Sequence, residues 1–154
     1  MKLFDYHTHN EISFDSEAKI TEHCESAYQK GLAEIALTNH YELDMVLLGT
    51  AEAPDLVREE QLLLEARALY EGKVTLLRGI EVGQPSYDKE AFRKVFEQYN
   101  FNSVIHFAAF KAVGESVTDP MKYYRNNLDS FMNVLELMRE FGRPNIVFSS
   151  SATV

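Results

Sequence analysis

Asp5-Tyr6-His7-Thr8-His9 follows the apolar pair Leu3-Phe4 and runs into an acidic, hydroxyl-rich turn, Glu11-Ile12-Ser13-Phe14-Asp15-Ser16. Residues 2–6 read as a strand. Strand side chains alternate with a period of two, so His7 and His9 point the same way from an extended backbone. Both imidazoles can then reach one metal ion or one substrate phosphate. The same pattern, an apolar run that ends on a polar group, recurs along the chain and sets the expected fold.

Outward from that stretch, Ile20, Cys24, Ala27 and Tyr28 fall at helical spacing within residues 17–30, and Gly31 is the stop. Residues 33–38 form an apolar run of strand length ending at Asn39-His40, and residues 41–54 read as a loop punctuated by Gly49 and Pro54. Asp55 is placed to cap a helix whose apolar face is Leu56, Leu62, Leu63, Ala66, Leu69 and Tyr70. A third strand, residues 74–81, ends on Glu81. A helix from about Asp88 to Tyr99 buries Ala91, Phe92, Val95 and Phe96. A fourth strand over residues 102–107 carries His106. Asp119-Pro120 opens a long amphipathic helix expected to bury Met121, Tyr124, Leu128, Phe131, Leu135 and Met138, stopped by Gly142. Residues 145–149 make a fifth strand.

This alternation predicts an α/β protein of βα units with about five parallel strands, forming either part of a barrel or an open three-layer sheet. In such sheets functional groups gather at the carboxyl ends of the strands. Those ends carry His7 and His9, His40, Glu81 and His106, five ligand-type side chains on one edge.

The 154 residues fit one domain with enough chain for a core. Their 45% apolar content, without a long apolar run, predicts a soluble protein with no membrane partner. The N-terminus resembles neither a signal nor a transit peptide, and the single Cys24 excludes an internal disulfide, so a cytoplasmic location is expected. The net charge of −9 is uneven: residues 1–103 hold 10 basic against 19 acidic side chains, residues 104–154 five of each. An acidic chain without a basic stripe argues against nucleic acid as a partner. An unpaired sheet edge would favour a homo-oligomer.

Imidazole nitrogens with carboxylate oxygens suit Zn²⁺, Mn²⁺ or Fe²⁺ better than Ca²⁺. Such ions activate water and neutralise a phosphate. In this scheme His7, His9, Asp15, His40, Glu81 and His106 are the candidate ligands. Asp15 can bridge or terminate metals, and His40 can ligate or serve as the acid for the leaving oxygen.

Asp5-Tyr-His-Thr-His9 with Phe14-Asp15, Ile35-Ala-Leu-Thr-Asn-His40 and Leu77-Arg-Gly-Ile-Glu-Val-Gly83 together resemble the first motifs of the polymerase-and-histidinol-phosphatase superfamily, in its histidinol-phosphate phosphatase branch. The resemblance spans roughly residues 1–85. It implies a distorted barrel, a centre of two or three metals and hydrolysis of a small phosphorylated substrate. His7, His9, Asp15, His40 and Glu81 match the ligand positions. Asn39 stands where the family usually has an acid.

The later part resembles a different family. Val104-Ile-His-Phe-Ala-Ala-Phe-Lys-Ala-Val-Gly-Glu-Ser116, Tyr123-Tyr-Arg-Asn-Asn127 and Ile146-Val-Phe-Ser-Ser-Ser-Ala-Thr-Val154 look like UDP-glucose 4-epimerase, an NAD-dependent Rossmann-type enzyme. The resemblance implies NAD contacts at Lys111 and Asn126, and a proton-transfer hydroxyl at Ser151. Ala109 departs from the usual glycine. No glycine-rich pyrophosphate turn and no Tyr-x-x-x-Lys pair occur in this stretch, so epimerase turnover is not expected. The organisation expected is a single α/β domain joining a phosphatase-like segment, 1–87, to an epimerase-like segment, 88–154. The function the first resemblance implies is that of a metal-dependent phosphomonoester hydrolase, with an inert hybrid scaffold or an NAD- or UDP-sugar-binding fragment as the alternatives.

Overall fold

The computed structural model describes residues 2–149. The chain divides into two compact units, Met1–Val82 and Gly83–Val154.

In the first unit, β1 (Leu3–Thr8) leads through the turn at residues 9–19 into α1 (Ile20–Gln29). Glu11 and Glu22 set the start of that helix: their carboxylates accept the backbone N–H groups of Ile20 (2.9 Å) and Lys19 (2.7 Å). Gly31, at φ 72°, turns the chain into β2 (Leu32–Leu37). Residues 41–54, expected to be a loop, contain short elements instead: β3 (His40–Glu42) and α2 (Leu43–Leu47). A three-residue strand and a five-residue helix are too short to show a periodicity. Asp55 caps α3 (Leu56–Leu69), accepting from the N–H groups of Val57 and Arg58. The run expected to be one strand ending at Glu81 is two, β4 (Thr75–Arg78) and β5 (Glu81–Gly83), with Glu81 opening the second.

β2 lies between β1 and β4, parallel to both. Ile35 and Leu37 of β2 and Leu76 of β4 meet Ile20, Cys24, Ala27, Leu63 and Ala66 from the helices. This dry layer is the main apolar stabilisation of the unit. Burial raises the Cys24 thiol to about 11. The buried face of α3 differs from the expected one. Leu69 is exposed, Leu62 and Tyr70 pack only partly, and Glu59 is buried beside Leu63 and Ala66.

The second unit opens with α4 (Lys89–Gln98), capped by Asp88. Ala91, Phe92, Val95 and Phe96 are all buried there, as the helical spacing predicts. β6 (Ser103–His106) is followed by α5 (Val113–Thr118), whose glycine and β-branched residues gave no helical signal. α6 (Pro120–Glu140) begins at an Asp119 cap with proline in its first turn. β7 (Asn145–Phe148) pairs in parallel with β6.

The α6 face is a correction. Tyr123, Ser130, Val134, Leu137 and Met138 are buried, whereas Met121, Tyr124 and Leu128 are exposed. α6 carries two apolar stripes, and α4 selects between them. Ion pairs Lys89–Glu136 and Arg93–Glu140 join the two helices.

The α/β class with parallel strands holds. The strands number seven among the described residues, in sheets of three, two and two, and no closed barrel forms among them. No helix among the described residues is long and apolar enough to cross a membrane.

A candidate metal centre at the strand ends

The parallel ladder of the first unit continues past its strands. Thr38 N–H donates to Thr8 O (2.7 Å), Gly79 N–H to Leu37 O (2.8 Å) and Glu81 N–H to Asn39 O (3.0 Å). Each bond fixes one strand end to the next, which keeps the residues beyond them in step. The last approach is close. A Cβ at Gly79 would lie 2.8 Å from Thr38 Cγ2 and 3.3 Å from Leu37 O, so a side chain here would force Thr38 and the neighbouring strand end to shift.

The result is a tight group of side chains. The His7 and His9 rings lie on one side, 4.9 Å apart. Glu81 Oε2 sits 2.8 Å from His9 Nε2, 3.3 Å from His7 Nε2 and 3.7 Å from His40 Nε2. His9 Nδ1 and His40 Nε2 approach Asp15 Oδ2 at 2.8 and 3.4 Å. Two sets have the spacing of metal ligands: His7, His9 and Glu81, and His9, Asp15 and His40.

Hydrogen bonds set the ring orientations. Asp15 takes a hydrogen bond from the Ser13 hydroxyl at 2.6 Å, and that bond, followed by His9, lowers its carboxyl pKa to about 2. An ionised Asp15 can only accept, so His9 donates to it from Nδ1 and turns Nε2 toward Glu81. Glu42 does the same for His40, accepting from Nδ1 at 2.7 Å. His9 Nε2 and Glu81 Oε2 are both buried and neither has a hydrogen-bond partner. They lie 2.8 Å apart and face one region, so a cation between them satisfies both, as does a proton carried on His9 Nε2. The donor set of imidazoles and carboxylate therefore fits Zn²⁺, Mn²⁺ or Fe²⁺.

Sequence reasoning missed the supporting residues. Glu42 was legible as the i+2 neighbour of His40, hence on the same face of a strand. Ser13, which also accepts the His40 N–H at 3.2 Å, lay within the quoted turn without an assigned role. Asn39, Glu59 and Arg78 form a buried chain behind the site: Asn39 Nδ2 donates to Glu59 Oε1 (3.0 Å) and Arg78 Nε to Glu59 Oε2 (2.8 Å). No periodicity points to them.

His106 belongs to neither ligand set. It ends β6 in the second unit, buried between the rings of Phe131 (5.2 Å) and Phe148 (5.7 Å, stacked), and burial lowers its pKa. Lys111 is exposed. Asn126 accepts from the Ser86 hydroxyl and donates to Asn127, whose side chain in turn pairs with both backbone groups of Phe110. Ser151 lies outside the described residues.

The family model described as GDP-mannose 4,6 dehydratase matches residues 82–154. UDP-glucose 4-epimerase of Homo sapiens is 54% identical over 67 residues, and UDP-glucose 4-epimerase 2 of Arabidopsis thaliana 52% over 67. Each match covers 44% of this chain, and the chain spans about a fifth (19%) of the length of these curated relatives. Among solved structures, histidinol phosphate phosphatase of Lactococcus lactis, complexed with zinc, L-histidinol and phosphate, aligns with 91% of this chain and 70% of its own. Its TM-score is 0.50 at 18% identity, a likeness of fold. UDP-glucose 4-epimerase of Bifidobacterium longum, in complex with NAD⁺ and UDP, aligns with 99% of this chain and 38% of its own, with a TM-score of 0.47 at 27% identity.

Proposed function

We propose that the first unit is a metal-dependent phosphomonoester hydrolase centre of the histidinol-phosphate phosphatase type. One observation carries this reading: the Nε2 atoms of three histidines converge on a single buried carboxylate oxygen, Oε2 of Glu81. His7, His9 and Glu81 would hold one ion, and Asp15 and His40, which with His9 make the other set, would be open to a second. A bound divalent ion supplies Lewis acidity, activating water and neutralising phosphate charge. The protein's own groups do the orienting. Asp15 and Glu42 hold His9 and His40 in the tautomers that leave Nε2 free, and Ser13 restrains Asp15. With Nδ1 of His40 engaged by Glu42, ligation suits His40 better than the role of acid.

Metal content of the purified protein, measured with hydrolysis of p-nitrophenyl phosphate, tests the reading against a His7→Ala/His9→Ala variant. Metal and hydrolysis lost together in the variant are expected. A wild-type protein free of metal after loading with zinc or manganese would sink it.

A second reading concerns different residues. The identity of 54% over 67 residues to UDP-glucose 4-epimerase favours an NAD- or UDP-sugar-binding segment in the second unit, with Lys111, Asn126 and Ser151 as contacts. The comparisons weigh toward this reading for residues 82–154, the site geometry toward the metal reading for the first unit. Calorimetric titration with NAD separates them: saturable binding that Lys111→Ala weakens supports the epimerase-like reading, and no heat at millimolar NAD removes it.

A further inference from the structure

We propose that Asn39, oriented by the buried carboxylate of Glu59, is the positioning residue that sets the spacing of all three ligand-bearing strand ends. The inference rests on the metal-centre reading above. Asn39 is almost wholly buried and touches each end by a separate bond. Its Oδ1 accepts the N–H of Asn10, the residue after His9, at 3.0 Å. Its backbone oxygen accepts the N–H of Glu81 at 3.0 Å. It is covalently joined to His40. One residue thus fixes the backbone beside His9, Glu81 and His40.

The amide orientation follows from chemistry. The Asn10 N–H can only donate, so it must face Oδ1, and Nδ2 then points at Glu59 Oε1, 3.0 Å away. Glu59, on α3, is itself buried and its other oxygen takes Arg78 Nε from the end of β4. The carboxylate therefore serves two donors with two oxygens, and nothing else at position 59 of equal shape does so. An aspartate at position 39 would set an acceptor against an acceptor. A glutamine at position 59 would offer one oxygen to two donors. Making both changes together reverses the polarity of the bond and satisfies every group again. The introduced glutamine donates from its amide nitrogen to the introduced aspartate, and its amide oxygen accepts from Arg78.

That reciprocity is the test. Zinc affinity, measured by competition with a chromogenic chelator, is compared in the wild type, Asn39→Asp, Glu59→Gln and the double variant, with folding of each checked by circular dichroism. Each single variant is expected to bind zinc about 10–100-fold more weakly, the usual range for partners one shell behind the ligands. The double variant is expected to recover to within about threefold of wild type, the non-additivity that coupled partners show. Should Asn39→Asp fail to fold, Glu59→Gln against the double variant gives the same reading. Folded single variants with wild-type affinity, or a folded double variant no better than the singles, would overturn the positioning role alone. A wild type that binds no zinc would overturn the metal-centre reading and this inference with it.

Discussion

His9 and His106 both stand at the end of a parallel strand, and the molecule uses them in opposite ways. His9 meets Asp15 on one nitrogen and Glu81 near the other. His106 meets the rings of Phe131 and Phe148. In the first environment an imidazole is oriented by one carboxylate and turned toward a second. In the second it is a flat, buried ring whose charged form is disfavoured. The difference teaches that a strand-end position offers a side chain, and the neighbouring loops decide its chemistry. In the first unit the turn at residues 10–16 and the His40–Glu42 strand supply carboxylates. In the second the packing faces of α6 and β7 supply phenyl rings.

The contrast breaks most directly at the metal. His7→Ala/His9→Ala should retain less than about a tenth of the bound zinc, since a site short of two ligands does not close its coordination shell. His106→Phe should retain all of it. Metal analysis by inductively coupled plasma mass spectrometry checks both, and an equal loss in the two variants would erase the distinction.

The next largest effect tests the core that α6 selects. Leu137 is fully buried. Leu137→Ala should lower unfolding stability by about 2–5 kcal/mol. Leu128→Ala, on the exposed stripe, should fall within about 0.5 kcal/mol of wild type. Urea denaturation of each variant measures the difference.

Gly79→Ala sharpens the comparison from the side of the backbone. The added methyl meets Thr38 and the Leu37 carbonyl, so a loss of about 1–3 kcal/mol is expected together with weaker metal binding. A destabilised variant with unchanged zinc affinity would show that the ladder end does not govern the site.

The smallest effect is a pH dependence. Burial depresses the His106 pKa, so the unfolded chain takes up this proton more readily than the folded one. The contribution is fully present above the ordinary histidine value of about 6.5 and is lost as pH falls through it toward the lower folded value. His106→Phe should flatten that part of the stability profile between about pH 7 and 5. Thermal melts across that range read it, and parallel profiles in the two proteins would count against the buried-ring account.

That His7, His9, His40 and Glu81 come together was legible because each stands at or just past an apolar run, and parallel strands bring such ends to one edge. The Asp55 and Asp119 caps, and the buried set Ala91, Phe92, Val95 and Phe96, were equally legible, because local hydrogen bonding and helical spacing suffice to specify them. Strand-end position also nominated His106, and there the same rule gave a residue among aromatic rings, because sequence order carries no information on what packs beside it.

The sequence by itself determined the α/β class, the caps and the identity of the groups that could bind a metal, all of which follow from short-range periodicity and side-chain chemistry. Tertiary structure alone decided three things. It placed Met121, Tyr124 and Leu128 outside and Val134 and Leu137 inside, because two stripes of similar apolarity compete and only a partner helix chooses. It put the carboxylate of Glu59 into the interior, because Asn39 and Arg78, distant in sequence, supply the donors that make the burial tolerable. And it turned four strand-end side chains into one constellation, because the Thr8, Leu37 and Asn39 carbonyls hold successive chain ends within a hydrogen bond of each other.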